Sequence, residues 1–319
     1  MQVRLGGRTL ATVHLARIAI GLACAIGPGC RYRFDPRLAA DADATRPPDA
    51  SADAPPGDAF GTCDPAAPFG VPVPLVELND PSADDGTLRL ATDELSGYFW
   101  SRRSGNAEIY LATRTDLTSP FTIVAAAPLN TTANEMDPTV TSDGTLIVFR
   151  RSGPGDHLYQ ASRLGPLTFG PAMMIANVDQ GTETQSYLQP GGSELYFQSK
   201  RSGAGIGDLY RSVRTGTTFA TPTRIVELAT ASEEGDPVIT ADGLTIYFRS
   251  DRAGTNALFN IWTASRHTTS DPFGPATEVP NVSSAGNDGP SDLSSDGCRL
   301  YLSSDRAGTN DIYVATRQR

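Results

Sequence analysis

The sequence predicts an all-β fold, a five-bladed β-propeller of four-stranded antiparallel blades. Five times the chain repeats an apolar strand, an Arg-x-Gly turn or a close variant, and a second strand that ends in an arginine. The repeats follow one another at intervals of 49 to 52 residues, the length of one blade. Asp-Gly pairs recur where a hairpin turn is needed. The closing arginines are Arg114, Arg163, Arg214, Arg266 and Arg317.

Each repeat supplies the strands of one blade, as the fourth repeat illustrates. A short first strand, Pro237 to Thr240, leads into Asp242-Gly243, a pair that readily adopts the positive φ angles of a tight hairpin. The second strand is β-branched and aromatic and ends at the turn of Arg252. A third strand and a variable loop follow, and Phe-Gly-Pro-Ala then introduces an outer strand.

The two ends of the repeat array predict how the ring closes. Pro68 to Leu78 has the character of an outer strand with no blade before it, whereas the last repeat contains only three strands. Pairing this N-terminal strand with the C-terminal blade closes the ring and removes both sheet edges. Cys63 and Cys298 lie near the same two ends, so we expect a disulfide between them.

These repeats resemble the TolB-type, WD-repeat-like propeller units of Gram-negative exported proteins. Segments such as "LNTTANEMDPTVTSDGTLIVF" and "RLYLSSDRAGTNDIY" carry the likeness, which extends over about residues 68 to 317. The resemblance implies an exported protein of the Gram-negative periplasm or outer membrane that binds a protein or glycan partner. TolB itself has six blades and an extra N-terminal domain, whereas this chain has five repeats.

The N-terminal segment is typical of a secretory signal. Residues 1–29 hold three arginines and no acid, then an apolar run too short to span a bilayer, then small residues. Cys30 follows Gly29 and resembles the lipidated cysteine of bacterial lipoproteins, the alternative being an ordinary signal. Residues 30–62, rich in Ala, Asp and Pro, predict a disordered tether, and 63–319 the propeller domain.

Charge narrows the range of partners. The formal net charge is −10, and −13 once the three arginines of the signal are removed. An acidic surface repels phosphate backbones, so we expect no nucleic-acid partner. We expect a monomer that contacts the membrane only through its lipid anchor.

A periodic set of acids is the main candidate site. Counting six residues back from the residue before each hairpin turn gives one acid per repeat, except in the first repeat, where the count from Thr92 gives Gly86 with Asp85 and Asp84 beside it. Such acids would form a carboxylate ring at one mouth of the channel and bind Ca²⁺, amines or sugars. Alternatively, each acid pairs with a repeat arginine as a structural brace. The occurrence of one acid and one arginine in each blade favours this brace. The acids are Glu135, Glu183, Glu234, Asp288 and Asp85, with Asp137 and Asp236 two residues beyond theirs, and the arginines are Arg103, Arg151, Arg201, Arg252 and Arg306.

The sequence favours a non-catalytic binding or scaffold module without a cofactor. Carboxylates converging in a five-bladed propeller are also similar to furanosidase-type glycoside hydrolases, so a carbohydrate-active enzyme is one alternative. A purely structural envelope protein is another. His157 and His267 lack metal-ligand spacing, and the chain has no Gly-x-Ser-x-Gly, phosphate-loop or Cys-x-x-Cys motif. Six aromatic residues are expected in the blade cores: Trp100, Tyr196, Phe197, Tyr247, Phe248 and Tyr301.

Overall fold

The computed structural model describes residues 63–203, 205–255 and 258–318; the predicted signal, Cys30 and the predicted tether lie outside this range. Within it every regular element is a β-strand. In chain order these are β1 (Val73–Pro74), β2 (Asp85–Leu90), β3 (Ser96–Ser101), β4 (Glu108–Thr113), β5 (Thr122–Ala126), β6 (Asn134–Val140), β7 (Leu146–Ser152), β8 (Asp156–Gly165), β9 (Thr168–Phe169), β10 (Met173–Met174), β11 (Glu183–Leu188), β12 (Glu194–Ser199), β13 (Asp208–Thr215), β14 (Thr218–Phe219), β15 (Thr223–Arg224), β16 (Glu234–Ile239), β17 (Thr245–Ser250), β18 (Asn260–Ser265), β19 (Thr277–Glu278), β20 (Asp288–Leu293), β21 (Arg299–Ser304) and β22 (Asp311–Thr316).

The strands form five antiparallel sheets, which confirms the predicted five-bladed propeller. Blade 1 is β2-β3-β4-β5 and blade 4 is β16-β17-β18-β19. Blades 2 and 3 each contain one extra short strand. Blade 2 has the order β6-β7-β8-β10, and β9 also pairs with β8. Blade 3 has the order β11-β12-β13-β15, and β14 also pairs with β13. The first strand of each blade lies beside the first strand of the next, which surrounds a central channel.

The ring closes as predicted. β1 pairs with β22 at the outer edge of blade 5, with Val73 opposite Val314, although this strand is only two residues long. Phe69 continues the contact as a bridge to Arg317, whose guanidinium lies 3.9 Å from the centre of the Phe69 ring. The Cys63–Cys298 disulfide joins the same two ends of the described chain.

The repeated residues maintain the blades. The second strand of every blade buries a large apolar side chain at the same position, between neighbouring sheets. The closing arginine of each blade donates a hydrogen bond to a backbone carbonyl in the hairpin turn of the same blade. The buried side chains are Phe99, Phe149, Phe197, Phe248 and Leu302, all fully inaccessible to solvent. The arginine–carbonyl pairs are Arg114–Glu94, Arg163–Gly144, Arg214–Gly192, Arg266–Gly243 and Arg317–Gly297.

Candidate functional site at the channel mouth

The repeat acids lie inside the blades, each against an arginine of its own blade. Their carboxylates are almost completely buried, and each lies between 2.6 and 3.0 Å from a guanidinium nitrogen. The pairs are Asp85–Arg103, Glu135–Arg151, Glu183–Arg201, Glu234–Arg252 and Asp288–Arg306. This is the geometry of the brace interpretation; cation binding by the same acids stays a prediction.

Each of these arginines also joins its blade to the preceding segment of chain. Arg252 Nη2, for example, lies 3.0 Å from Glu234 Oε1 and donates to the Leu228 carbonyl at 2.7 Å. Its guanidinium lies over the Phe248 ring, 4.9 Å from the centroid. Burial raises the pKa of Glu234 against the opposing effect of Arg252, and lowers the pKa of Arg252 itself.

Blade 1 follows the same pattern at Asp85, which corrects the sequence alignment at this blade. The residue that opens its hairpin is Ala91, whose N–H bonds to Ser96 as Thr141 bonds to Leu146 in blade 2. The sequence alignment counted from Thr92 instead of Ala91, and therefore gave Gly86 in place of Asp85. The displacement arose because Glu94 occupies the left-handed turn position, φ 56°, that glycine takes elsewhere.

Two residues beyond each repeat acid, the first strand of blades 1 to 4 contains a β-bulge. The bulged residues have left-handed φ angles of 45° to 53° although none is glycine, which is an uncommon and strained conformation. They are Thr87, Asp137, Gln185 and Asp236. Because a bulge changes the direction of a side chain, these residues face the channel while the acids before them face the blade interior. Blade 5 has Pro290 at this position.

The bulges and the second strands together build the site that we call the channel mouth. It is a cavity of about 450 Å³, and each of the five blades contributes to it from its first and second strands. The second strand contributes the residue before the repeat serine or its equivalent: Trp100, Arg150, Gln198, Arg249 and Ser303. The first strand contributes the bulged residues Thr87, Asp137, Gln185 and Asp236 in blades 1 to 4, and Asp288 and Gly289 in blade 5.

Hydrogen bonds connect the mouth residues from blade to blade. Asp137 accepts from the Thr87 hydroxyl at 3.2 Å and from the backbone N–H of Gln185 at 3.0 Å. Its carboxylate is paired within the blade to Arg150 Nε at 2.9 Å. The Gln185 side-chain oxygen accepts the backbone N–H of Asp236 at 3.0 Å. One polar network thus extends across blades 1 to 4.

Asp236 occupies the corresponding position in blade 4. Its carboxylate lies 3.4 Å from Arg249 Nε, and the same guanidinium lies 3.7 Å from Glu233. Burial raises the pKa of Asp236, and the nearby Asp137 carboxylate acts in the same direction, while Arg249 opposes both.

Trp100 is a mouth residue, so its expected place in the blade core is wrong. Its indole N–H donates to the Thr87 hydroxyl at 3.1 Å, and the side chain is only half-buried. The other predicted core aromatics are buried, including Tyr196, Phe197 and Phe248.

Sequence reasoning named three residues of the lining, Asp137, Asp236 and Asp288, but missed the rest of the mouth. A signal was present in the repeats themselves. The position before the repeat serine or its equivalent is Trp, Arg, Gln, Arg and Ser in successive blades, although its neighbours hardly change. A position that departs from the repeat is not dictated by the blade.

A second cavity, of about 730 Å³, lies at the opposite end of the channel. Arg89 lines this second cavity, is 3% exposed, donates to the Ser186 carbonyl at 3.2 Å and lies 4.5 Å from the centre of the Tyr187 ring. Burial lowers the pKa of Arg89, and burial raises the pKa of Asp292 to about 6. Pro65 and Gly297 line this end, close to the disulfide.

Among residues 63–203, 205–255 and 258–318, no group of three ligating side chains is arranged to hold a metal ion. His157 bonds Asp179 at 2.6 Å. The described residues also contain no helix of a length and hydropathy that would cross a membrane.

Comparison with known proteins supports the fold alone. No protein-family model and no curated protein matches the sequence. The GH62 α-L-arabinofuranosidase catalytic domain of Coprinopsis cinerea is similar at a TM-score of 0.51 and 12% identity, over 79% of this chain and 98% of that one. A thermostable family-43 glycoside hydrolase gives 0.50 and 12%, over 74% and 89%. TolB from Acinetobacter baumannii gives 0.49 and 15%, over 76% of this chain, which spans 56% of that protein. At such identities the likeness carries no activity across.

Proposed function

We propose that this protein is an exported, lipid-anchored propeller that acts as a non-catalytic binding module in the cell envelope, with the channel mouth as its binding surface. One observation carries the proposal. Core and brace positions repeat from blade to blade, whereas the mouth positions vary around the ring, with only blades 2 and 4 sharing an Asp–Arg pair, and include four strained, bulged residues. Binding sites on repeat folds arise where the repeat is broken, because the fold itself does not need those residues.

The pairing of the mouth carboxylates supports binding rather than hydrolysis. Asp137 is held by Arg150, and Asp236 by Arg249. A glycosidase needs one carboxyl group that donates a proton and a second that is free to attack or to activate water. Carboxylates that are fixed by guanidinium groups serve better as oriented hydrogen-bond acceptors.

Cys63 lies at the end of the channel opposite the mouth. β20 begins with Asp288 beside the channel mouth and ends with Leu293 beside the opposite cavity, about 17 Å away at the usual rise per residue. Cys63, where the described chain begins, is bonded to Cys298 near that opposite end. The disulfide agrees with export to an oxidising compartment.

Photocrosslinking tests the proposal. Benzoylphenylalanine in place of Ser303 puts the probe in the mouth, and the same amino acid in place of Val226, 67% exposed, is the matched control. We expect an adduct in intact cells from position 303 and none from 226. The adduct should disappear when Arg249→Gln and Gln185→Asn are combined with the probe. Equal adduct formation from positions 303 and 226, or none from either, would favour a purely structural protein.

A hydrolase is the second candidate, favoured by the raised pKa of Asp236 next to Asp137. The exported protein should then release reducing sugar from arabinoxylan, and Asp236→Asn should abolish the release while leaving the melting temperature nearly unchanged. A rate equal to that of the buffer would remove this candidate.

A further inference from the structure

We infer that the ligand of the channel mouth is a neutral oligosaccharide with one sugar ring against Trp100. This inference rests on the proposed function and names the ligand class of the same site. Charge balance, the kind of hydrogen-bonding groups and the nature of the apolar surface support it independently of one another.

The charges of the mouth are mutually compensated. Arg150 lies between Asp137, at 2.9 Å, and Asp156, at 3.2 Å. In the same way Arg249 lies between Asp236 and Glu233, and Lys200 approaches Glu233 at 3.8 Å. The lining holds five carboxylates and three cationic side chains, but each carboxylate has a cationic nitrogen within 3.7 Å, Asp288 being paired with Arg306. A strongly charged ligand would therefore have to displace an existing ion pair.

The hydrogen-bonding groups suit hydroxyls. Blades 2, 3 and 4 present guanidinium, carboxylate and carboxamide groups side by side, and these planar groups offer donors and acceptors at fixed spacing. The Gln198 amide is itself held in place, since its nitrogen donates to Glu233 at 2.7 Å and its oxygen accepts from Thr184 at 3.0 Å. A hydroxyl both donates and accepts, and a sugar carries several at fixed positions.

The apolar surface suits a sugar ring better than a peptide. Among the described residues that line the cavity, Trp100 is the only large apolar side chain. The indole N–H is already bonded to Thr87, so the ring is left for packing. Protein partners bind through clusters of buried aromatic or aliphatic side chains, and among the described lining residues Trp100 has no apolar neighbour of comparable size. A side chain at Gly289 would approach Asp236 to 2.4 Å, so this glycine keeps the cavity open.

Tryptophan fluorescence gives a direct test, because the chain has two tryptophans. Trp262 is 8% exposed and bonds the Ser250 carbonyl inside blade 4, whereas Trp100 faces the cavity. The purified full-length exported protein is titrated with cellotriose, xylotriose, maltotriose and arabinotriose. We expect a saturable emission change with at least one of them. Trp262→Phe should retain this change and Trp100→Phe should lose it.

Calorimetry separates binding from the optical signal. Trp100→Phe keeps an aromatic ring and should bind with similar affinity, whereas Gln198→Leu should weaken binding about tenfold, the cost of losing a hydrogen-bonding group. Gln185→Asn, which retains a residue tolerant of left-handed backbone, provides a second variant in case Gln198→Leu folds poorly. Trigalacturonate and trilysine, charged probes of the same length, should bind more weakly than the neutral sugar.

The composition of the adduct at position 303 completes the test. Mass increments of hexose or pentose support the inference, and peptide masses overturn it while the binding module stands. Preferential binding of a charged probe also overturns it. If neither an adduct nor sugar binding is found, both the ligand class and the proposed function fail.

Discussion

Arg201 Nη2 lies 2.8 Å from Glu183 Oε1 in blade 3, and the carboxylate is completely buried. The same nitrogen donates to the Val178 carbonyl, so one guanidinium joins the first strand of the blade to the segment that enters it. Four further acid–arginine pairs occupy the corresponding place in the other blades. Because all five blades contain this acid–arginine pair, we attribute the pair to the structure of the blade and not to a ligand.

Two residues further along the same strand, the residue type changes between blades. Gln185 stands where other blades have Thr87, Asp137 and Asp236, and its left-handed backbone directs it toward the channel. Each first strand thus carries a repeated residue, the acid of the brace, and a variable residue that faces the channel. Only the variable residues make the sides of the channel chemically different from one another.

The disulfide should contribute substantially to stability. It closes a loop with a sequence separation of 235, and in the chain-entropy model such a crosslink constrains the unfolded chain by about 5 kcal/mol. Replacing Cys63 and Cys298 together by serine should lower the free energy of unfolding in urea by a large part of that amount.

Thiol titration checks that the bond is formed. In denaturant neither Cys63 nor Cys298 should react until reductant is added, as peptide mapping of the labelled protein would show. Two reactive thiols in the unreduced protein would contradict the bridge.

The anchor prediction concerns Cys30. If this cysteine is lipidated, Cys30→Ala should move the protein from the membrane fraction to the soluble exported fraction, because the variant cannot carry the lipid. Cys24→Ala is the matched control and should leave the distribution unchanged. An intact mass showing an unmodified N-terminus at another residue would contradict the prediction.

Much of the fold could be predicted because its signals are local and repeated. Asp242-Gly243 marks a hairpin, and the unpaired outer strand before blade 1 matches the missing strand of blade 5. Glu94 concealed the same turn in blade 1, since its left-handed φ is set by tertiary contacts rather than by glycine. Its carboxylate accepts from Tyr301 at 2.6 Å and pairs with Arg299, residues more than 200 positions away.

The mouth could be predicted only in part because its geometry depends on the bulges. A bulge at Asp137 or Gln185 has no glycine to reveal it, and one inserted residue reverses which side chains face the channel. Trp100 and Trp262 both lie in strands with buried apolar neighbours. Only the position of Trp100 immediately before Ser101 distinguishes it as a residue of the mouth.

The pKa of Asp292 gives a pH dependence with a definite sign. Burial raises this pKa to about 6, compared with 3.8 for an aspartate exposed to water. Between pH 4 and 6 the unfolded chain releases the proton while the folded protein keeps it. The contribution of Asp292 to stability is therefore largest below about pH 4 and is lost as the pH rises to about 6.

Over this interval the loss is on the order of 3 kcal/mol. Denaturant unfolding at several pH values should show it as a difference between the wild type and Asp292→Asn, whose stability should depend less on pH in this range. Asp93→Asn, at an exposed turn, serves as the control. Equal pH profiles for the wild type and Asp292→Asn would show that the carboxyl titrates in its ordinary range.

The acid ring allows a comparison between a metal site and a structural brace. Replacing Glu135 and Glu234 together by glutamine leaves Arg151 and Arg252 buried without their charged partners, which should lower the free energy of unfolding by several kcal/mol. We expect the loss to be the same with calcium and with chelator, because a brace binds no ion. Asp93→Asn combined with Asp271→Asn, two exposed turn residues, is the matched control for the change in net charge and should have little effect.

Thermal unfolding of the wild type discriminates between the two interpretations. A ligand that binds only the native state raises its melting temperature by mass action, so a calcium site would show stabilisation that saturates with calcium and is absent from the double glutamine variant. We expect a melting temperature that is insensitive to calcium and to chelator. Each acid already has a guanidinium within 3.0 Å, and a divalent cation could enter only by displacing that buried positive charge.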